Sequence, residues 1–270
     1  MAMGKALIGG AAYDITEGKT LVDGTPYSIK KGRTLIDGTG YDVGFGVDYD
    51  PVFANNDWAT IIAVCQAGIC PDEWAVGDSK TMTIDGVDYQ IDIIGKDHDT
   101  YSDGSGTAPL TFQMHGLYST SYAMNSSATN VGGWTSCAMR KTHLPAILAL
   151  MPSEVQAGIK EVNKLTSAGN QSSTIKTTAD KLFLLSEIEN FGSRSYSKSG
   201  EGSQYAYYSE GNSRVKGYPS YPNGSGAGYW ERSPRGSNST YFCFVGSSST
   251  SVGSSTEAYA SLGVAFAFCF

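Results

Sequence analysis

A chain of 270 residues is long enough for one large domain or two ordinary ones, and 40% hydrophobic residues can fill a core. Only 17% of residues are charged, the net charge is −7 and no basic cluster stands out, which argues against nucleic acid because phosphate contacts need Lys and Arg. Five cysteines without a Cys-x-x-Cys pair offer neither a zinc set nor a disulfide framework, the apolar runs are too short to span a membrane, and the N-terminus lacks an apolar signal core.

Residues 4–46 hold a repeat: Leu7, Leu21 and Leu35 are spaced by 14, as are Tyr13, Tyr27 and Tyr41. Each unit reads as a short strand, a Gly-Gly or Asp-Gly turn, and a second strand ending in Tyr-x-Ile or Tyr-x-Val, which is a hairpin signal. One such hairpin is marginal in water. Three in tandem therefore suggest a stacked assembly element, with a plain meander as the alternative. Residues 47–71 read as a connector carrying one amphipathic helix. Asp57 is its N-cap, Gly68 its stop, and Trp58, Ile61, Ile62 and Cys65 fall at i, i+3, i+4 and i+7.

Residues 76–95 predict two strands around the turn Asp85-Gly86. Asp97, His98 and Asp99 follow and invite a metal, but neighbours on a strand face opposite sides and no second ligand cluster is spaced beside them. Hydrogen bonding at a strand end is the expected role. Residues 110–114 predict a strand. A helical pattern runs from Trp134 to Met151, broken at Pro145, with His143 as a structural histidine. Residues 159–166 alternate imperfectly, and a polar loop is expected to reach Thr178. Residues 182–185 are a buried run. Ser186 is a good N-cap, and Glu187 and Glu189 fall in the first helical turn, where the dipole favours them. A catalytic carboxylate pair competes with that reading, but capping accounts for the pattern locally.

From Ser193 onward the chain is rich in Ser, Gly and Tyr: Tyr205, Tyr207, Tyr208, Tyr218, Tyr221, Tyr229, Tyr241 and Tyr259. Stiff amphipathic Tyr among adaptable Ser, Gly and Asn is the composition of antibody-like paratopes; low-complexity disorder is the alternative. Framework brackets the segment. Trp230 stands at one end, and Val264, Phe266, Phe268 and Phe270 alternate with Ala265, Ala267 and Cys269 at the other, as in a strand covered on both faces. A rigid frame holding a long polar insert is the layout of a binding surface; a plain exposed loop is the alternative. The positions nominated for ligand contact are Tyr229, Glu231, Arg235, Ser237, Asn238, Thr240, Tyr241, Ser247, Ser249 and Tyr259.

Five separated motifs occur in order: 77–99, 134–140, 180–192, 230–234 and 263–270. Over residues 72–270 they resemble a domain of unknown function widespread in Gram-positive bacteria and their phages. Its layout is similar to the C-type lectin fold in the form shared with the formylglycine-generating enzyme, whose strand–turn–helix element looks like Leu184-Leu-Ser-Glu187. The resemblance implies an α+β chain in three parts: a β-hairpin repeat for anchoring or oligomerisation (1–46), a helical connector (47–71) and a C-type lectin-like ligand-binding domain (72–270). The same fold serves variable proteins of diversity-generating retroelements, which randomise a C-terminal stretch. This implies a phage or prophage display protein of the virion tail, made in the bacterial cytoplasm without a signal peptide. Its C-terminal surface would bind a host cell-surface protein or glycan. The repeats resemble N-terminal segments of phage tail proteins, implying contact with other virion proteins and a homo-oligomer, a trimer first. No catalysis, metal, cofactor, nucleic acid or membrane insertion is expected. The enzyme of this superfamily uses a copper-binding cysteine pair, and Cys243 and Cys269 do not form a recognisable version of it; His98, His115 and His143 give no Ser-His-Asp order. The competing function is an enzyme acting on cell-wall or surface glycans, which also needs clefts lined by Tyr and Trp.

Overall fold

In a computed structural model of the chain, the 14-residue repeat becomes three hairpins. β1 (Lys5–Ile8) pairs with β2 (Ala11–Asp14), β3 (Lys19–Val22) with β4 (Thr25–Ser28), and β5 (Lys31–Ile36) with β6 (Thr39–Gly44). The register is the same each time: Ile8 opposes Ala11, Val22 opposes Thr25, and Ile36 opposes Thr39. Side chains and backbone are described for residues 47–220, 226–248 and 253–270, and the backbone alone for these six strands. The chain divides into two compact units, Met1–Asp50 and Pro51–Phe270.

The second unit mixes helices and antiparallel sheets and is α+β. Helix α1 (Trp58–Gln66) starts where Asp57 accepts the Thr60 N–H at 2.7 Å. Its apolar face must be buried, and the partner is the main sheet: the Trp58 ring meets Phe112 and Phe270 edge-on at 6.0 and 6.1 Å. The helix expected in a connector thus supplies core to the unit Pro51–Phe270.

The main sheet has the order β15-β9-β8-β7, from β7 (Ser79–Ile84), β8 (Val87–Lys96), β9 (Leu110–Met114) and β15 (Ala267–Cys269). Asp85 and Gly86 join β7 to β8 with φ of 50° and 76°, the two positive values of a type I′ turn. Residues 264–270 are buried at every position, so the final strand is covered on both faces as expected. It is shorter than its alternation suggests. Only Ala267–Cys269 joins β9, while Gly263 bridges to Tyr229 and Ala267 also to Phe183.

A second sheet, β12-β13-β14, is built from β12 (Tyr229–Pro234), β13 (Tyr241–Val245) and β14 (Ser254–Glu257). Between β9 and β12 in sequence lie α2 (Gly133–Ser136), α3 (Leu144–Leu148), α4 (Ser153–Gly158), the ribbon β10 (Val162–Ser167) with β11 (Ile175–Asp180), α5 (Glu187–Phe191) and α6 (Ala206–Ser209).

Three expectations are corrected here. The long helix breaks at Cys137, which is extended (ψ 152°), and not at Pro145, which opens α3 after a π-helical turn over Met139–His143. In a first turn the missing proline N–H costs no bond. Strand β11 occupies the expected polar loop; its inward residues are Thr178 and Asp180, so apolar alternation is absent. Tyr205, Tyr207, Tyr208 and Tyr229 are interior, not surface. Each spends its hydroxyl inside, as Tyr208 does on Gln113 Oε1 at 2.5 Å and Tyr229 on the Arg214 carbonyl at 3.1 Å. Among the described residues no helix is long and apolar enough to cross a membrane.

Candidate binding face

Strand β12 carries charge into the interior. Arg232 is fully buried, and its three nitrogens donate to Glu189, Thr166 Oγ1 and the carbonyls of Leu184, Leu165 and Glu201. Lys164 Nζ lies 2.7 Å from Asp99 Oδ1 and 2.8 Å from Glu189 Oε1, and donates to the Tyr205 hydroxyl at 3.0 Å. Burial alone pushes both carboxyls up. The cations override it, holding Glu189 below the usual range through Arg232 and Lys164, and Asp99 at about 2 through Lys164. Buried charges are tolerable only when paired and bonded in this way.

Helix α5 anchors the neighbouring loop. Ser186 and Glu189 form a capping box, and Gly192 closes the helix at φ 71°. Glu187 then accepts the backbone N–H groups of Ser195, Tyr196 and Ser197 at 2.8, 3.0 and 2.7 Å. The first-turn pair does more than cap: one carboxylate binds the interior cations and the other fixes the loop bearing Tyr196. The expected capping is present, and neither carboxylate is free.

The outward corner follows β12. The Arg235 guanidinium sits 5.3 Å from the Tyr196 ring centroid and 5.7 Å from that of Tyr241. Its Nε donates to Ser237 Oγ at 3.1 Å and its Nη1 to Ser255 Oγ at 2.9 Å. Across the sheet Tyr241 opposes Glu257, and Glu257 bonds the Tyr259 hydroxyl, raising that phenol. Asn238 Oδ1 accepts the Thr240 N–H at 2.6 Å and hydroxyl at 2.7 Å. Buried Asn130 clamps the turn from below, donating from Nδ2 to the carbonyls of Asn238 and Tyr241, each at 2.7 Å. Its Oδ1 accepts the Asn170 N–H at 2.7 Å, and beside it a Cβ on Gly169 (φ 70°) would stand 1.8 Å from the Asn130 carbonyl oxygen.

Of the nominated contact residues, Arg235, Ser237, Asn238, Thr240, Tyr241 and Tyr259 gather at this corner and are exposed or half-buried. Ser247 is exposed beyond the far end of β13, and Ser249, like Tyr221, lies outside the described residues. Tyr229 and Glu231 are corrected: both are interior, because the alternation of β12 is lost where every residue from Tyr229 to Pro234 is enclosed. Tyr196, Asn130, Ser255 and Glu257 were not nominated. Tyr196 lay in the Tyr-rich segment, but its tie to Glu187 has no signature in spacing.

The remaining candidates resolve as structure. Asp99 bonds Thr111 and Tyr205 as well as Lys164, a hydrogen-bonding role near a strand end, while His98 stacks on Tyr205 at 4.0 Å. A groove of about 360 Å³ is lined by His98, Asp99, Lys164 and Glu189, among others, whose charges already pair with one another. Among the described residues no three His, Cys, Asp or Glu side chains converge as metal ligands. Cys243 and Cys269 are buried and their thiols pushed up by burial, which disfavours thiolate chemistry.

Fold and site together define an α+β domain in which an interior ion-pair network supports a clamped aromatic–arginine corner. The chain belongs to the family described as a domain of unknown function, DUF6273, which matches residues 111–270. No curated protein and no solved structure matches it.

Proposed function

We propose that the chain is a ligand-binding display protein, the receptor-binding part of a phage tail, with a C-type lectin-like second unit of the formylglycine-generating-enzyme type. The observation that carries this reading is Arg235 held between Tyr196 and Tyr241 on a corner fixed by Asn130 and Glu187. Tyr and Arg are the residue types that dominate binding hot spots. A corner already ordered before contact loses less entropy on binding. Its chemistry suits a host cell-surface glycan or protein: tyrosine rings for stacking, a guanidinium for carboxylate or hydroxyl, and a rim of Ser and Thr. Binding is non-covalent. The N-terminal hairpins join the chain to other virion proteins and to its own copies.

The test is the double variant Arg235→Ala, Tyr241→Ala, followed by thermal melting and adsorption to host cells. Each hot-spot side chain contributes about 2 kcal/mol or more to binding, so adsorption should fall at least about 100-fold. Melting should change little, because substitutions outside the core stay near 0.5 kcal/mol each. A folded double variant that adsorbs normally removes the corner from the binding surface. Turnover of cell-wall glycan by the wild type would favour the competing enzymatic reading.

A further inference from the structure

Among the described residues, four buried side-chain atoms lack a hydrogen-bond partner, and two of them, Glu231 Oε2 and Asn190 Oδ1, belong to side chains that are already joined. Asn190 Nδ2 donates to Glu231 Oε1 at 2.8 Å. Both residues are fully buried, one on β12 and the other on α5. If Glu231 were ionised, Oε2 and Oδ1 would both be acceptors and could not satisfy each other. A carboxylic acid supplies the missing donor.

We propose that Glu231 is carried as the neutral acid, its Oε2–H donating to Asn190 Oδ1, so that acid and amide close a ring of two hydrogen bonds. A single proton then satisfies both orphaned atoms. The surroundings agree. Glu187 of α5 faces the group with like charge, Glu201 adds to it once it ionises, and Tyr229 and Cys243 bring only neutral, high-pKa hydroxyl and thiol. The nearby cation, Arg232, is committed to Glu189. Burial is the largest influence and pushes the Glu231 carboxyl well above the carboxylate range; Asn190 opposes it, and Glu187 and Glu201 reinforce it.

The pair is therefore a built-in pH sensor beneath the strand that leads to Arg235. The native state holds a proton that the unfolded chain gives up above its ordinary value near 4.5. Stability then falls as pH rises, from that value until Glu231 itself ionises.

The test compares the full-length chain with Glu231→Gln by denaturant unfolding across pH. Glutamine has an N–H where the acid has its O–H, so the variant keeps both bonds at every pH. Near pH 5 the two proteins should be about equally stable. Above that, the folding equilibrium constant of E231Q should gain on the wild type by about tenfold per pH unit, the slope of one proton. Other titrations are common to both proteins and cancel in the ratio. A ratio constant with pH, or one falling as pH rises, overturns the proposal. Should E231Q fail to fold, the wild type decides. With ¹³C-labelled glutamate, the Glu231 carboxyl resonance stays at its neutral-acid position as pH rises past the ordinary glutamate value near 4.5 if the ring exists, and moves to the carboxylate position across that value if it does not.

Discussion

Arg232 shows what a single residue can hold together. It meets Glu189 and also four other partners, so every donor is spoken for within the interior. Removing one member of such a buried pair leaves an uncompensated charge and costs about 3–5 kcal/mol. Arg232→Ala should therefore lower the urea midpoint by an amount equivalent to that, while Glu257→Gln at the half-buried sheet edge should leave it nearly unchanged. Glu201 has a different consequence. It accepts the Ser167 N–H at 2.8 Å and the Ser233 hydroxyl, yet burial pushes its carboxyl up to about 7. Its folded value is raised, so the native state is favoured below the unfolded value and loses that advantage as pH rises from about 4.5 to about 7. Asp99 works oppositely: held at about 2 against an ordinary 3.8, it contributes stability above that value and loses it as pH falls through the interval. Glu201→Gln should flatten the pH dependence by one proton between about pH 5 and pH 7, measured as the denaturation midpoint.

Helix α5 is five residues long, too short for propensity to sustain it. It exists because Ser186 and Glu189 cap it, because Ser186 Oγ also donates to the Glu201 carbonyl at 2.7 Å, and because Glu189 is tied to Arg232. Ser186→Ala removes the cap and the tie, an expected loss of about 1–2 kcal/mol. Since Glu187 is the next residue, the Ser195, Tyr196 and Ser197 amides should also exchange hydrogen faster in that variant; unchanged protection there would show the loop to be held without the helix. These elements also mark how far the sequence could be read. The capping box, the Asp57 cap, the Asp85-Gly86 hairpin and the enclosed C-terminal run were legible because each is a local pattern with one physical solution. Strand β11 was not, since it buries Thr178 and Asp180, which look like loop residues until Arg140 and Trp134 are placed beside Asp180. The tyrosines misled for a related reason. A phenol ring suits a core or a surface equally, and only the distant acceptor for its hydroxyl decides between them. The corner was legible in Arg235, Ser237 and Tyr241, which are close in sequence, but not in Tyr196 or Asn130, which reach it through tertiary contacts.

At the scale of the whole molecule, two units of unequal self-sufficiency share one chain. The unit Pro51–Phe270 closes its own core: Trp58 from its first helix packs on Phe112 and Phe270 of its sheet, and its buried charges find partners within it. Among the described residues, the unit Met1–Asp50 has three two-stranded ribbons in identical register. An isolated ribbon of that size is marginal in water and needs further strands or a packing partner. Copies of the same chain are the natural source, because repeats that cannot bury their apolar face alone do so by stacking. The expected outcome is that the full chain is a trimer. Deleting residues 1–46 should lower its order while leaving the melting of the larger unit within a few degrees, since the contacts that close that core are retained. Light scattering reads the order and calorimetry the melting. Full chain and truncation both running as monomers would remove the assembly role from the repeats. A truncation that no longer melts cooperatively would show instead that the larger unit depends on residues 1–46 for its fold.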